Sequence, residues 1–427
     1  MAQHPTSRRK PTQHGLVAWQ GMSFRTMLRF FRLRPPTHPL RACRVLNTVA
    51  SSAVTSVLKR AEWMRFGRRV REVQLAGPPL FVLGHWRSGT TLLHNLLACD
   101  RRFTYPNLYH VFCPHHFLLT ESLVTRLTAR FLPEHRPMDN MPCGWSTPQE
   151  DETALCMMTL LSPYLMMAFF QRHEVYDRYF EMRDVTAEER ARWKAALLLF
   201  LKKLTVREPK PVILKSPTHT FRIPLLLEMF PDARFLYIYR NPHRVFHSTM
   251  HLRRTVFDVN GFAPVDETDM EEEVFRVYEH MFHVYERDRR LIPPGRLHEV
   301  RFEDLERDPV AVLREAYEAV GLPDFTVAEP HIRAEVARMT GYRKNRYDDD
   351  PETMRRIYRR WRFAFERFGY PSGLPHVRRA ARAAVDHTPD RPHRRAESGR
   401  KTTHARSAPE PAEAAAAECS GTRSRVA

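Results

Sequence analysis

Gly84-His85-Trp86-Arg87-Ser88-Gly89-Thr90-Thr91 follows the apolar run Pro79 to Leu83 and leads directly into Leu92-Leu93-His94-Asn95-Leu96-Leu97. A short apolar strand, a loop with two glycines and a helix start bring backbone N–H groups together on one point, which is how a chain cradles a phosphate. The G-x-x-x-x-G spacing is that of a P-loop, but Thr90-Thr91 stands where a triphosphate loop has Lys-[Ser/Thr]. Arg87, inside the loop, supplies a cation instead. A nucleoside triphosphate with magnesium normally needs the missing lysine, so a less charged phosphate ester fits the loop better.

Three further apolar runs have strand character, Pro211 to Leu214, Arg234 to Tyr239 and Leu297 to Phe302, and a helical pattern follows each. Strands alternating with helices predict an α/β, P-loop-like three-layer fold around a central parallel sheet. About 115 residues between the first helix and the second strand exceed any ordinary connection and read as a large helical insertion. Within it, Thr153 to Gln171 carries no charge over a length that would span a bilayer. Ser162-Pro163 interrupts that run, and a span would put the phosphate loop and Lys215 on opposite sides of a membrane. A buried helix pair lining a pocket is the expectation.

Charge is distributed unevenly along the 427 residues: 1–78 hold 15 basic and 2 acidic side chains, a net +13, whereas 79–375 hold 42 and 41. A nucleic-acid footprint should lie on the folded body, so this balance argues against such a partner. In 1–78, Phe24, Met27, Leu28 and Phe31 fall at helical spacing beside Arg25, Arg29 and Arg32, and Leu46 to Leu58 repeats the pattern. These N-terminal helices form a basic arm that either meets an anionic membrane surface or packs on the body or a second subunit. Residues 376–427 are Arg, Ala, Pro, Ser and Glu with almost no large apolar side chains, the composition of a disordered tail. Six scattered cysteines without a C-x-x-C pair, and no uninterrupted apolar leader, predict a cytoplasmic chain. The segments expected are therefore the arm 1–78, an enzyme domain 79–375 and the tail 376–427.

Arg-Ser-Gly-Thr-Thr after a strand resembles the 5′-phosphosulfate loop of the PAPS-dependent sulfotransferases, PAPS being 3′-phosphoadenosine 5′-phosphosulfate. The resemblance implies that Arg87, Ser88, Gly89, Thr90 and Thr91 hold the donor's 5′ end. Tyr239-Arg240-Asn241-Pro242 through Ser248 resembles the family's 3′-phosphate motif, with Arg240 and Ser248 eight residues apart as in the family. Physically, an arginine at a strand end and a serine two helical turns onward can both face one phosphate. Arg301-Phe302-Glu303-Asp304-Leu305 resembles the segment whose aromatic ring lies near the adenine, and Gly341 to Tyr347, with Arg343 and Lys344, resembles the basic loop closing over the 3′-phosphate. Departures are Leu92, where the cytosolic branch has an adenine-stacking tryptophan, and Asn345, where that branch has glycine. Phe302 is then the main ring expected to stack. GHWRSGTTLLHNLL, PQEDE and LKSPTH together are most similar to a bacterial branch, over about residues 79 to 350.

Lys215 ends the second strand in Leu214-Lys215-Ser216-Pro217-Thr218-His219 and matches the family lysine. A fixed ammonium there stabilises the charge that grows on the departing bridging oxygen as sulfuryl moves. The acceptor hydroxyl also needs a base. Glu150, Asp151, Glu152 and His219 are candidates, the last resembling the base histidine of the cytosolic branch but two residues farther on. Thr147-x-x-Glu150 with Pro148 reads as a capping box, which gives Glu150 a structural task and leaves Glu152 freer. His110, His115 and His116 read as ordinary loop residues, and no metal site is expected. The expected activity is sulfuryl transfer from PAPS to a hydroxyl, less readily an amine, of a small-molecule, lipid or glycan acceptor, in a chain whose oligomeric state is open. A kinase using ATP and magnesium, and a non-catalytic binder of membrane surfaces or polyanions, are the competing readings.

Overall fold

The computed structural model describes residues 17–132, 141, 143–265, 267–339 and 350–374. The tail and the loop carrying Arg343 and Lys344 lie outside the described residues.

Four parallel strands form the sheet: β1 (Leu80–Leu83), β2 (Ile213–Lys215), β3 (Arg234–Tyr239) and β4 (Leu297–Arg301), in the order β2-β1-β3-β4. Leu80 is in register with Ile213 on one side and with Arg234 on the other. Parallel strands covered on both faces read as continuous apolar runs, and LFVL and FLYI do so. Side chains alternate across the sheet, so Phe81 and Leu83 enter one core layer while Leu80 and Val82 enter the other. The first layer includes helices from the insertion and the C-terminal helix Pro351–Phe368; the second includes the loop helix Thr90–Leu97 and Pro309–Ala319. This is the three-layer α/β arrangement expected.

β1 lies between β2 and β3, so the connections leaving its carboxyl end and that of β3 diverge. Open α/β sheets bind ligands at such a reversal. The phosphate-loop residues stand there.

The uncharged stretch forms the helix Asp151–Thr159 and, after Leu160 turns left-handed at φ 61°, a second helical piece, Pro163–Phe169, bent by 80°. Both pieces are buried. Among the described residues no single helix is long and apolar enough to cross a membrane.

Two helices of the N-terminal region, Phe24–Arg32 and Ala42–Glu72, share the compact unit with the enzyme core. Trp19 donates its indole N–H to the Asn260 carbonyl at 2.7 Å, and Phe30 packs edge-on to Phe169 at 5.5 Å. The first helix buries Met27 and Phe30 and leaves Phe24 and Leu28 partly in solvent, a face turned from the predicted stripe. The second helix forms where its spacing predicted, with its apolar pattern turned outward. It buries Thr48, Ser52, Thr55 and Glu62, while Leu46, Val49, Val54 and Val57 face outward.

Candidate active site

Two glycines shape the loop. Gly84 has φ 134° and a Cβ there would lie 2.4 Å from the Ile238 carbonyl oxygen; Gly89 has φ 106° and its Cβ would lie 2.2 Å from the Phe302 ring. Neither position has room for a side chain. Ser88 folds its hydroxyl back onto the His85 carbonyl at 2.7 Å, and Gly84 N–H is held by the Thr220 hydroxyl at 2.9 Å. Thr90 and Thr91 then begin the helix, whose first N–H groups have no intrahelical acceptor and carry the positive end of its dipole.

Arg87 adopts φ 68° and sends its Nε to the Ser248 hydroxyl at 2.7 Å. Ser248 lies on the helix Pro242–Asn260, capped by Asn241, whose side-chain oxygen accepts from His243 N–H at 3.0 Å. Arg240, at the end of β3, donates to the Arg87 carbonyl at 3.3 Å and lies 4.0 Å over the Phe302 ring. Arg87, Arg240 and Ser248 thus converge, and Arg87 joins the strand-end motif instead of remaining within its own loop. Phe302 is 6% exposed, wedged between Gly89 and Arg240. The ring expected to stack on the adenine thus forms the wall behind the loop, with Arg240 over its face.

Lys215 ends β2 with its side chain buried. Its ammonium donates to Glu150 Oε1 at 2.8 Å and approaches the Thr91 hydroxyl at 3.5 Å. The lysine therefore links the phosphate loop to an acid of the insertion. Glu150 precedes the helix Asp151–Thr159 and makes no side-chain cap. The capping box read from Thr147 is not formed, because the helix begins three residues later than that pattern requires. Glu150 accepts a hydrogen bond from the Tyr164 hydroxyl, which in turn accepts one from Trp86 Nε1 at 3.3 Å. At 22% side-chain exposure Glu150 also reaches solvent.

The expectation that Glu152 is the freer acid is reversed. Glu152 is fully buried and clamped by Arg222 at 2.7 and 3.1 Å, by Ser162 at 2.6 Å and by Thr218 at 2.9 Å. Four donors occupy its oxygens, and it pins the insertion to the turn after β2. His219 is equally enclosed: Nε2 meets Asp151 Oδ2 at 2.7 Å and the ring abuts Phe81. Burial alone would push the Asp151 carboxyl up, but His219 and the Ser216 hydroxyl hold it below the ordinary carboxylate range. Both groups brace the motif segment and face away from solvent.

Of the histidines read as loop residues, His115 and His116 lie in the turn after the helix Leu108–Phe112 and His110 lies within that helix; all three are buried. His110 completes a capping box with Asn107 and pairs with Glu121 at 2.9 Å. No cluster among the described residues offers three or more His, Cys, Asp or Glu side chains to a metal ion. Sequence reasoning missed Tyr164, Trp86 and His94. His94 is buried one turn beyond Thr91, with neither ring nitrogen hydrogen-bonded among the described residues. Burial, aided by the Lys215 charge, pushes it down to about 3. The break at Ser162-Pro163 was the available signal for Tyr164, since a turn there returns the chain toward Glu150.

The profile of the sulfotransferase family matches residues 78–326. Two curated relatives, omega-hydroxy-beta-dihydromenaquinone-9 sulfotransferase Stf3 of Mycobacterium bovis and of Mycobacterium tuberculosis, are each 38% identical over 358 residues, covering 84% of this chain and 92% of theirs. Among solved structures, sulfotransferase STF9 from Mycobacterium avium aligns with a TM-score of 0.60 at 20% identity over 83% of this chain and 93% of that one. Sulfotransferase STF1 from Mycobacterium tuberculosis aligns at 0.55 and 18% identity, over 73% and 85%. Those two likenesses concern the fold, and the sequence matches carry the family: this chain belongs to the sulfotransferases.

Proposed function

We propose that the chain transfers the sulfuryl group of PAPS to a hydroxyl of a lipid acceptor, with Lys215 at the leaving oxygen and Glu150 as the base. The observation that carries this reading is the 2.8 Å contact between these two side chains beside Thr91. On this reading the backbone of Arg87, Ser88 and Gly89 with Thr90 and Thr91 receives the phosphosulfate, while Arg240 and Ser248, joined by the Arg87 side chain, receive the 3′-phosphate. The acceptor oxygen attacks sulfur in line and its proton passes to the Glu150 carboxylate. The bond from sulfur to the bridging oxygen breaks, and the electron pair stays with 3′,5′-adenosine bisphosphate. Lys215 exchanges Glu150 for that oxygen as charge develops, which places the ammonium where it stabilises the transition state most.

Glu150 is favoured over its neighbours because Asp151, Glu152 and His219 are enclosed. Tyr164 positions Glu150 through its hydroxyl. A lipid acceptor is supported by the name of the Stf3 relatives, which specifies a hydroxylated menaquinone derivative. The same proposal keeps 79–375 as the enzyme domain with 1–78 as its arm and 376–427 as its tail, in the cytoplasm. The test is transfer of labelled sulfur from PAPS to a panel comprising a long-chain hydroxylated quinol, a hydroxysteroid and a soluble phenol. Label should enter the lipid alcohol with one bisphosphate released per sulfate formed. Absence of transfer to any hydroxyl would remove the proposal, and ATP-dependent phosphorylation instead would make the chain a kinase.

A further inference from the structure

The helix Ala42–Glu72 is built inside out. Over its first six turns its inward side is Thr48, Ser52, Thr55 and Glu62, with Glu62 paired to Lys203 at 2.6 Å, and only then do Gly67 and Val70 turn inward. Its outward side carries Leu46, Val57 and Met64, exposed by 71%, 70% and 73%. At 100° per residue these three lie on one line, and Arg60 and Arg68 fall within 40° of the same line. The helix Phe117–Thr128 lies alongside, tied by Leu119 N–H to Glu62 at 3.3 Å, and exposes Leu123 and Leu127. A solvent-facing helix normally inverts this pattern, so the outer face is made for something other than water.

We propose that this face binds an anionic lipid bilayer, with the apolar line entering the headgroup boundary and the arginines meeting lipid phosphates. Charge decides the occupant. The acids of the two helices are engaged: Glu62 with Lys203, Glu121 with His110 and Arg207, and Glu72 with Arg68. Arg68 shares Glu72 in an exposed pair, and with Arg60 beside the same line the flank stays net positive, within a region carrying +13. A second copy would bring the same excess of positive charge against it, whereas an anionic membrane complements it. The chain's own ends are poor covers. Residues 1–16 offer only Met1 and Leu16 as large apolar side chains, and 375–427 offer nothing larger than Val377, Val385 and Val426. The surface is separate from the reacting groups, so this inference stands without the acceptor assignment.

Vesicle flotation of the full chain tests it, with phosphatidylcholine vesicles against vesicles containing phosphatidylglycerol, at low and high salt. The chain should partition at least tenfold better onto the anionic vesicles, and salt should remove most of that preference. The variant Val57→Glu/Met64→Glu should lose tenfold or more, and Arg60→Gln/Arg68→Gln several-fold, with unchanged circular dichroism and unchanged turnover of a water-soluble acceptor. The second variant keeps the test decisive if the first folds poorly. Equal binding to neutral vesicles, no binding, or variants that bind like the parent would each overturn the proposal. So would a dimer that Val57→Glu/Met64→Glu dissociates, since the face would then belong to a second copy.

Discussion

The Lys215 ammonium and the Glu150 carboxylate meet at 2.8 Å, one from the end of β2 and the other from the start of an insertion helix. Sixty-five residues separate them in the chain. Their juxtaposition joins the leaving-group side of the proposed reaction to the proton-accepting side. Lys215→Ala should lower kcat by about a hundredfold to a thousandfold, the usual cost of removing one preorganised charge stabiliser. Donor affinity should change far less. Single-turnover rates with bisphosphate titrations separate these, and an unchanged kcat would end the leaving-group role.

Tyr164→Phe removes one hydroxyl and leaves the ring packed. Glu150 then loses a hydrogen bond, and we expect kcat to fall roughly tenfold, equivalent to about 1.4 kcal/mol. The KM for PAPS should stay within about twofold, because the tyrosine's one contact to the loop is with the Trp86 indole, outside the residues Arg87 to Thr91 proposed to hold the donor. A matching loss in thermal stability with no change in kcat would assign Tyr164 to folding alone.

Glu152→Gln and Glu150→Gln should separate structure from chemistry. Losing charge at Glu152 leaves the buried Arg222 guanidinium without its counter-ion, a defect that costs about 3–5 kcal/mol. Melting should therefore shift markedly in that variant. Glu150→Gln removes the charge facing Lys215 but at a partly exposed position, so its melting should shift less than that of Glu152→Gln while most of its turnover is lost. Differential scanning calorimetry beside initial rates reads both, and the reverse pattern would return the base to Glu152.

Buried histidines predict an acid limit. Burial pushes His85 and His94 down to about 3 and His116 to about 4, so the folded chain keeps them neutral while the unfolded chain protonates them below about 6.5. The unfolded state then binds more protons, and stability rises with pH across this window. Their contribution is complete above pH 6.5 and is lost as pH falls through 6.5 toward 3 to 4, at up to about 1.4 kcal/mol per unit for each histidine. The depressed carboxyls, Asp151 and Glu121 among them, lose their share only below their unfolded values near 4. Urea midpoints between pH 7 and 5 should fall accordingly, and His94→Gln should flatten the slope. An unaltered slope would contradict the assignment of His94.

Much of this site was legible because its parts are local. Apolar runs flanked by glycine mark β1 and its loop, and the Arg240 to Ser248 spacing lies within one strand end and one helix. The choice among Glu150, Asp151 and Glu152 was not legible, since it depends on where the helix begins. Thr147-x-x-Glu150 mimics a capping box, whereas the observed start at Asp151 frees Glu150 for Lys215 and buries the next two acids. Phe302 illustrates a second limit: an aromatic after a strand can stack on a ligand or pack behind a glycine, and nothing local shows that this ring sits 2.2 Å from where a Gly89 Cβ would stand. The periodicity of Leu46 to Leu58 identified residues sharing one helix face. It carried no information about which way that face turns.

The most direct measurement is calorimetric titration of the full chain with 3′,5′-adenosine bisphosphate, with ATP and magnesium as the competing ligand, in parent and Arg240→Ala proteins. The bisphosphate alone should bind tightly. In Arg240→Ala its binding should weaken roughly thirtyfold, about 2 kcal/mol, with little change for a nucleotide lacking the 3′-phosphate. Preference for ATP, or equal losses for both nucleotides, would contradict the proposed donor site.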